Sequence, residues 1–424
     1  MSIEILIMMT ALLALIMVGV PIAFAQSAAV LIYVAIAGFP PISILAQQTV
    51  LGIDSFILLA LPLFIWCGIL MERSGASGGL MKLVLLLLGR LPGGAAVASV
   101  AATTFFGALT GSAVATTAAI GQIMEPQMVR QGYAPGFVAS LQGAAGILGG
   151  IIPPSIALVT YGAVAGASIK SLFAGALLPG LLLSAMLCLY ACFVSWRRGY
   201  GTVPTPLPAG GARSAVLEAI PALFMPVVIL GGIFGGIFTP TEAAAVGAIY
   251  VLLIGVIYYQ GLTFRAVMSS LTEAGKSTAS IMLIIATSAP LAWIFAAEQV
   301  PLQFSELVLT ISDDPVVIML IINLLLLVLG TFMETIATVV ILTPVLLPVA
   351  ISAGVDPIVF GVIMIVNLQI GAITPPLGVC LFVAARIVNI SIRETFPDLI
   401  YVTAVMVAGL FLMTYFPQMI TWAY

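Results

Sequence analysis

Long apolar runs alternate with short breaks along this chain, and their length reads as membrane helix rather than strand or soluble core. They fall at about 3–20, 22–38 and 54–72, followed by a shorter stretch at 78–90 that ends in Arg90. A Gly/Ala/Thr-rich segment, 93–126, is broken at Leu109-Thr-Gly-Ser112. The run 133–166 is broken at Gly149-Gly-Ile-Ile-Pro-Pro-Ser155, and a further span covers 172–196. Residues 197–214 are rich in proline and glycine and read as a linker. The order then returns at 218–237, 241–259, 277–297, a broken run 316–350, a broken run 357–385, and 398–417.

The run 316–350 would be roughly 50 Å long as one helix, against a hydrocarbon core of ~30 Å. Broken at Gly330 to Glu334, it becomes a re-entrant hairpin whose tip gathers Thr331, Glu334, Thr335 and Thr338. The second break, Asn367 to Gly378, contains Pro375 and Pro376, which each withhold a backbone donor. Irregular backbone at membrane depth is tolerated where it is buried in protein or lines a cavity, so the paired breaks mark a binding site.

The two halves overlay. At an ungapped offset of 222 residues Thr116 falls on Thr338, Pro126 on Pro348, Gly132 on Gly354, Pro135 on Pro357, Gly149 on Gly371, and Pro153 and Pro154 on Pro375 and Pro376. An offset of 219 pairs Pro21 with Pro240 and Ala25 with Ala244. The expected fold is an all-α polytopic membrane protein of two repeats, 1–196 and 215–424, each with five transmembrane helices and one re-entrant hairpin. Hairpins are expected at about 93–126 and 316–350, broken helices at about 133–166 and 357–385, and a cytoplasmic linker at 197–214. Five being odd, the second repeat is inverted relative to the first.

Charge supports that topology. Only 6% of residues are charged and 62% are hydrophobic, which excludes a soluble surface. With the N-terminus outside, eleven of the twelve Lys and Arg residues fall on the cytoplasmic side and only Lys170 falls outside, as the positive-inside rule demands. The outer loops carry Glu298, Glu306, Asp313, Asp314 and Asp356. Ala23-Phe24-Ala25 imitates a signal-peptidase site, but the chain begins Met-Ser-Ile-Glu with no basic residue before its first apolar run, so residues 3–20 are expected to be a retained helix. Segments 41–53 and 263–275 are too polar to span and read as interfacial helices: either arms joining a moving part to a fixed one, or ordinary surface connections.

The chain has no histidine, which removes the commonest metal ligand and general base, and no phosphate-binding loop of the Walker type. Neither an enzyme nor an ATPase is expected, and no nucleic-acid partner. The cysteines, Cys67, Cys188, Cys192 and Cys380, all lie in apolar runs and are expected to pack there. At the first tip, Ser112 and Thr116 stand where a half-helix begins, and its free amides suit a carboxylate. Gly149, Gly150, Pro153 and Pro154, with Gly371, Thr374, Pro375 and Pro376, offer carbonyls for a small hard cation. Gln142 and Asn367 either hydrogen-bond a polar substrate or bridge helices. Glu334 is either an ion or substrate ligand or the cap of its half-helix, and Glu242 reads as a helix cap. The expected substrate contacts are Ser112, Thr116, Gln142, Thr335, Thr338 and Asn367.

Gly111-Ser-Ala-Val-Ala-Thr-Thr-Ala-Ala-Ile-Gly121, Gly146-Ile-Leu-Gly-Gly-Ile-Ile-Pro-Pro-Ser155, Gly236 to Gly247, Gly330 to Pro344 and Gly371-Ala-Ile-Thr-Pro-Pro-Leu-Gly378 resemble the large membrane subunit (DctM type) of tripartite ATP-independent periplasmic (TRAP) transporters. The resemblance spans nearly the whole chain. It implies an elevator-type importer in a bacterial inner membrane, driven by a sodium gradient, with a small four-helix membrane subunit (DctQ-like) and a periplasmic substrate-binding protein (DctP-like) as partners in the lipid bilayer. The substrate it implies is an organic acid, such as a C4-dicarboxylate or sialic acid. Together with the carbonyl argument it places sodium at Gly111, Ser112, Gly149, Pro153, Gly330, Glu334, Gly371 and Thr374. The rival expectation is a passive anion channel or pore.

Overall fold

The computed structural model describes residues 2–201, 211–310, 312 and 314–424, with 307–309 described by their backbone only. Most of the expected linker, 202–210, and Asp313, expected in an outer loop, lie outside the described residues. Among the described residues the chain is helical, with no strand.

Two apolar helices of similar length open it, α1 (Ile3–Met17) and α2 (Ile22–Ala37), followed by a short α3 (Ile42–Leu51). A 3-10 turn, Phe56–Leu59, leads into α4 (Ala60–Arg73), and α5 (Ala76–Leu88) follows. Next come α6 (Gly94–Thr110) and α7 (Ala113–Arg130), joined by two residues. Then α8 (Pro135–Gly146) tightens into a 3-10 turn, Ile147–Gly150, before α9 (Ile156–Ala165) resumes, and α10 (Ile169–Arg198) runs 30 residues. Beyond the linker lie α11 (Gly211–Phe234), α12 (Pro240–Leu253) with a π-helical turn at Ile254–Tyr258, α13 (Phe264–Ala297) and α14 (Val300–Leu309). The chain closes with α15 (Pro315–Gly330), α16 (Thr335–Ser352), α17 (Pro357–Gly371), α18 (Val379–Ile387), α19 (Ile392–Tyr415) and a last turn α20 (Gln418–Thr421).

Among the described residues seven helices are long and apolar enough to cross a membrane: Phe56–Arg73, α10, α11, Pro240–Tyr258, α13, α16 and α19. Their surfaces agree. On α10, Leu183 and Leu187 are buried while Leu189 and Phe193 are more than half exposed, so the helix is apolar on both faces, as one meeting protein on one side and lipid on the other must be. The segment boundaries follow local signals. Asp356 accepts the Ile358 N–H at 2.7 Å and Pro357 occupies the first helical position of α17. Glu242 closes a capping box with Thr239 at the start of α12.

Two segments differ from expectation. Residues 263–275 are not a separate interfacial helix but the first turns of the 34-residue α13. Gly275 is the one breaker at the junction, and a lone glycine costs a helix only about 1 kcal/mol. The corresponding 41–53 stretch does stay separate as α3, and packs on α13. The segment carrying Glu306, expected as an outer loop, is helical, as α14; Gln299, with φ at 55°, turns the chain after α13, and Ser305 meets Ser352 of α16 at 3.0 Å.

The centre is built from α6–α9 and α15–α18, and partners cross between the halves: α7 packs on α18, and α16 on α9. Around them, α4 packs on α12 and α13, and α5 on α11. On another side α10 and α19 pack together and α19 lies against α8. Arg198 of α10 meets Asp398 of α19 at 2.7 Å and lies 6.0 Å from the centre of the Phe137 ring on α8. The Asp398 side chain is only 8% exposed, so removing its partner strands a charge. Arg198→Ala is expected to cost about 2–3 kcal/mol, seen as a lower thermal midpoint, and adding Asp398→Asn should restore part of it.

Candidate functional site

Each tip begins with a helix cap. After α6, Gly111 takes a left-handed φ of 65° and Ser112 caps α7, its Oγ accepting the Ala115 N–H at 3.5 Å. After α15, Glu334 caps α16, its Oε2 accepting the Ala337 N–H at 3.0 Å. At the 222-residue offset Ser112 and Glu334 are the same position. Each tip is also tied to the next break: the Gly111 carbonyl accepts the Ile156 N–H at 3.3 Å, and the Thr331 carbonyl accepts the Leu377 N–H at 2.9 Å.

Glycine lets these segments approach so closely. A Cβ on Gly371 would lie 2.3 Å from the Gly330 carbonyl carbon, and one on Gly107 would lie 2.6 Å from the Gly149 Cα. In both halves the helix leading to the tip therefore rests backbone on backbone against the unwound segment.

Between the two tips and the two breaks lies a cavity of about 150 Å³. Ser112 and Gly111 line it from the first tip, Glu334 and Thr335 from the second, Gly150 from the first break and Gln369 from the second; Met333, Leu377 and Val379 make it largely apolar. The first turns of α7 and α16 both border it, so their free amides face one space. Among the described residues no Lys or Arg lines it. Glu334 is accessible there as well as bonded to an amide, so a cap need not preclude contact with a cation. Among the described residues no cluster of three or more His, Cys, Asp or Glu exists to hold a metal; the oxygens at the cavity are those of the backbone and of Ser112, Glu334, Thr335 and Gln369.

Five of the residues singled out from sequence, Gly111, Ser112, Gly150, Glu334 and Thr335, line the cavity. Thr116, Gly149, Pro153, Gly330, Thr338, Gly371 and Thr374 are not among the residues that line it. Thr116 is bonded to Thr110 at 2.6 Å, Thr338 donates to the Glu334 carbonyl at 2.8 Å, and Thr374 donates to the Ile370 carbonyl at 3.0 Å. The Gly150 carbonyl already accepts the Ser155 hydroxyl at 2.6 Å, and the Gly371 carbonyl the Thr374 N–H at 2.9 Å, each with a second lone pair to spare.

Gln142 and Asn367 are not at the cavity. Gln142 accepts from Ser99 at 2.7 Å and donates to Thr103 at 3.2 Å, bridging α8 to α6. Asn367 donates to Asn323 at 2.6 Å, which donates to Thr414 at 3.0 Å, linking α17, α15 and α19. Both amides therefore tie helices together in this structure, Gln142 through its oxygen and its nitrogen and Asn367 through its nitrogen, the Asn367 Oδ1 having no partner among the described residues. Gln369, two positions after Asn367, lines the cavity instead: a helix turns by about 200° over two residues, so the two side chains leave α17 on different faces. Glu125 on α7, also not anticipated, is fully buried, and neither carboxylate oxygen has a hydrogen-bond partner among the described residues.

The chain has recognisable relatives among known proteins. The family model described as "Tripartite ATP-independent periplasmic transporter, DctM component" matches residues 8–419. The isethionate TRAP transporter permease protein DctMQ of Oleidesulfovibrio alaskensis is 42% identical over 94% of the chain, which spans 63% of that relative's length. The sialic acid TRAP transporter large permease protein SiaM of Vibrio cholerae is 37% identical, covering 96% of this chain and 95% of its own. The C4-dicarboxylate large permease protein DctM of Pseudomonas aeruginosa is 36% identical over 86% and 85%. Among solved structures, the YdaH transporter of Alcanivorax borkumensis superposes with a TM-score of 0.53 at 15% identity, over 87% of this chain and 86% of that one, a likeness of fold.

Proposed function

Because this chain belongs to the DctM component of tripartite ATP-independent periplasmic transporters, we propose that it imports a small organic anion across a bacterial inner membrane by sodium-driven symport. The observation that carries the reading is the cavity enclosed by both tips and both breaks, bordered by two helix N-termini and without a basic side chain. Two sets of amides and the hydroxyls of Ser112 and Thr335 suit an anion. Sodium binds first at the oxygens around Gly111, Ser112, Gly149 and Pro153 and around Gly330, Glu334, Gly371 and Thr374, and fixes the tips so that the anion site forms between Ser112 and Thr335. The relatives named for isethionate, sialic acid and C4-dicarboxylates handle acids, which supports an organic acid here.

In this reading α6–α9 and α15–α18 form two inverted hairpin-and-break units that move together as an elevator against the surrounding helices. The N-terminus is periplasmic, a small membrane subunit covers part of the lipid-facing surface, and a periplasmic binding protein delivers the substrate. Uptake reconstituted in proteoliposomes with those two partners tests it. Ser112→Ala and Thr335→Ala should each lower uptake about tenfold, the loss expected when one buried hydrogen bond to a charged ligand goes. Normal uptake in both variants would remove the pair from the site, and flux independent of any ion gradient would make the chain a passive pore.

A further inference from the structure

Val379 lines two spaces: the site cavity, and a groove of about 520 Å³ along one face of α18. Phe382, Val383, Arg386 and Asn389 continue that face at steps of three or four residues, so the groove follows α18 from the cavity edge to its end over roughly 15 Å. That end is the arginine-rich one. The chain turns there into α19, whose Asp398 meets Arg198 at the close of α10.

The first half treats the same face differently. At the 222-residue offset Val379 falls on Ala157, Phe382 on Thr160, Val383 on Tyr161 and Arg386 on Val164. Ala157 also lines the cavity, but the α9 face that leads away from it is filled. Thr160 and Tyr161 are fully buried, and the Tyr161 hydroxyl donates to the Pro357 carbonyl at 2.7 Å. On α18 the matching Phe382 is 47% exposed, and Arg386 and Asn389 are exposed too. Since α9 ends beside the start of α10, some 30 residues from Arg198, the two faces lead to opposite ends of the molecule. Only toward the arginine-rich end is the helix face uncovered.

Arg386 gives that path a sign. Its guanidinium makes no ion pair among the described residues, and it stands seven residues, about 10 Å, beyond Val379. Glu394, past the groove, is held by the N–H and hydroxyl of Ser391 at 3.0 and 2.8 Å. An anion that leaves the cavity along α18 therefore meets its first full positive charge at Arg386. We propose that the α18 groove is the exit of the cavity toward the cytoplasm, the side that collects basic residues, and that Arg386 draws the leaving anion along it. This rests on the organic-anion reading above and adds the route and the residue of release.

The test is thiol modification, read without uptake. Right-side-out and inverted vesicles from cells holding the chain and its partners are treated with sulfonatoethyl methanethiosulfonate, an anion, or trimethylammonioethyl methanethiosulfonate, a cation. Rates are counted above the parent chain, whose four cysteines are buried or half-buried. Phe382→Cys should react from the inner side and not from the outer, and Thr160→Cys should not react from the inner side. Adding Arg386→Gln should lower the anion-to-cation rate ratio at position 382 about fivefold, a change that about 1 M salt abolishes, and Arg386→Lys should keep the ratio. Altered packing would affect both reagents alike, so the ratio isolates the charge. Reaction of Phe382→Cys from the outer side, or with neither reagent, overturns the exit; a ratio unmoved by Arg386→Gln overturns the role of Arg386. The expected labelling in a chain that takes up no organic acid would instead overturn the reading on which the proposal rests.

Discussion

Gly371→Ala is expected to abolish uptake and lower the thermal midpoint, while Gly330→Ala, on the other side of the same contact, is expected to be mild. The new methyl at 371 would meet the Gly330 carbonyl carbon at 2.3 Å, its oxygen at 2.4 Å and its Cα at 2.6 Å. All three are backbone atoms, so no side chain can rotate away and α15 must shift bodily. A methyl at 330 would find its nearest atom at 3.3 Å, which a shift of a few tenths of an ångström relieves. Overpacking of this kind costs about 1–3 kcal/mol in a well-packed core. The functional loss should exceed the stability loss, because the displaced α15 ends at the tip that presents Glu334 and Thr335. Gly275→Ala is the control, since a Cβ there meets nothing within 4 Å and alanine favours the helix. Uptake by G371A close to wild type would show that the tip does not depend on this contact.

The same pair shows how much of the site could be read beforehand. Gly371 and Gly330 stand out in sequence because glycine at a break in an apolar run has few other uses, and Ser112, Glu334 and Thr335 stand out because polar residues at such a break must meet amides or ligand. Breakers and caps act locally, so their signal survives without tertiary information. Gln142, Asn367 and Gln369 do not yield to the same logic. All three are amides on apolar helices, and what separates them is direction: Gln142 turns to Ser99 and Thr103, Asn367 to Asn323, and only Gln369 turns to the cavity. Direction depends on which helix lies alongside, and apolar runs that are hydrophobic all round carry no amphipathic stripe to reveal it. The merging of 263–275 into α13 has a related cause: polarity argues that a segment lies outside the bilayer, but not that the helix stops at the boundary.

Replacing sodium by choline on both sides of the membrane is expected to reduce uptake at least a hundredfold, more than any single substitution of a cavity hydroxyl. The cavity holds an acid, Glu334, and no basic side chain. Two like charges about 5 Å apart at an effective dielectric constant of about 20 repel by roughly 3 kcal/mol, close to a factor of 100 in occupancy. The amides at the start of α7 and α16 offset part of that repulsion, but one amide of α16 is already taken by Glu334 itself. A cation held by the surrounding carbonyls would supply the missing charge and tie together tip and break. A proton on Glu334 would also remove the repulsion, so the two coupling schemes separate in one experiment: collapse of the pH gradient with sodium present should leave uptake in place, whereas choline substitution with the pH gradient present should remove it. Glu334→Gln distinguishes the charge from the cap, because an amide oxygen can still accept the Ala337 N–H while carrying no charge. The variant should keep its fold and transport less steeply with sodium concentration. Uptake that persists in choline and follows the pH gradient would exclude sodium as the compensating ion.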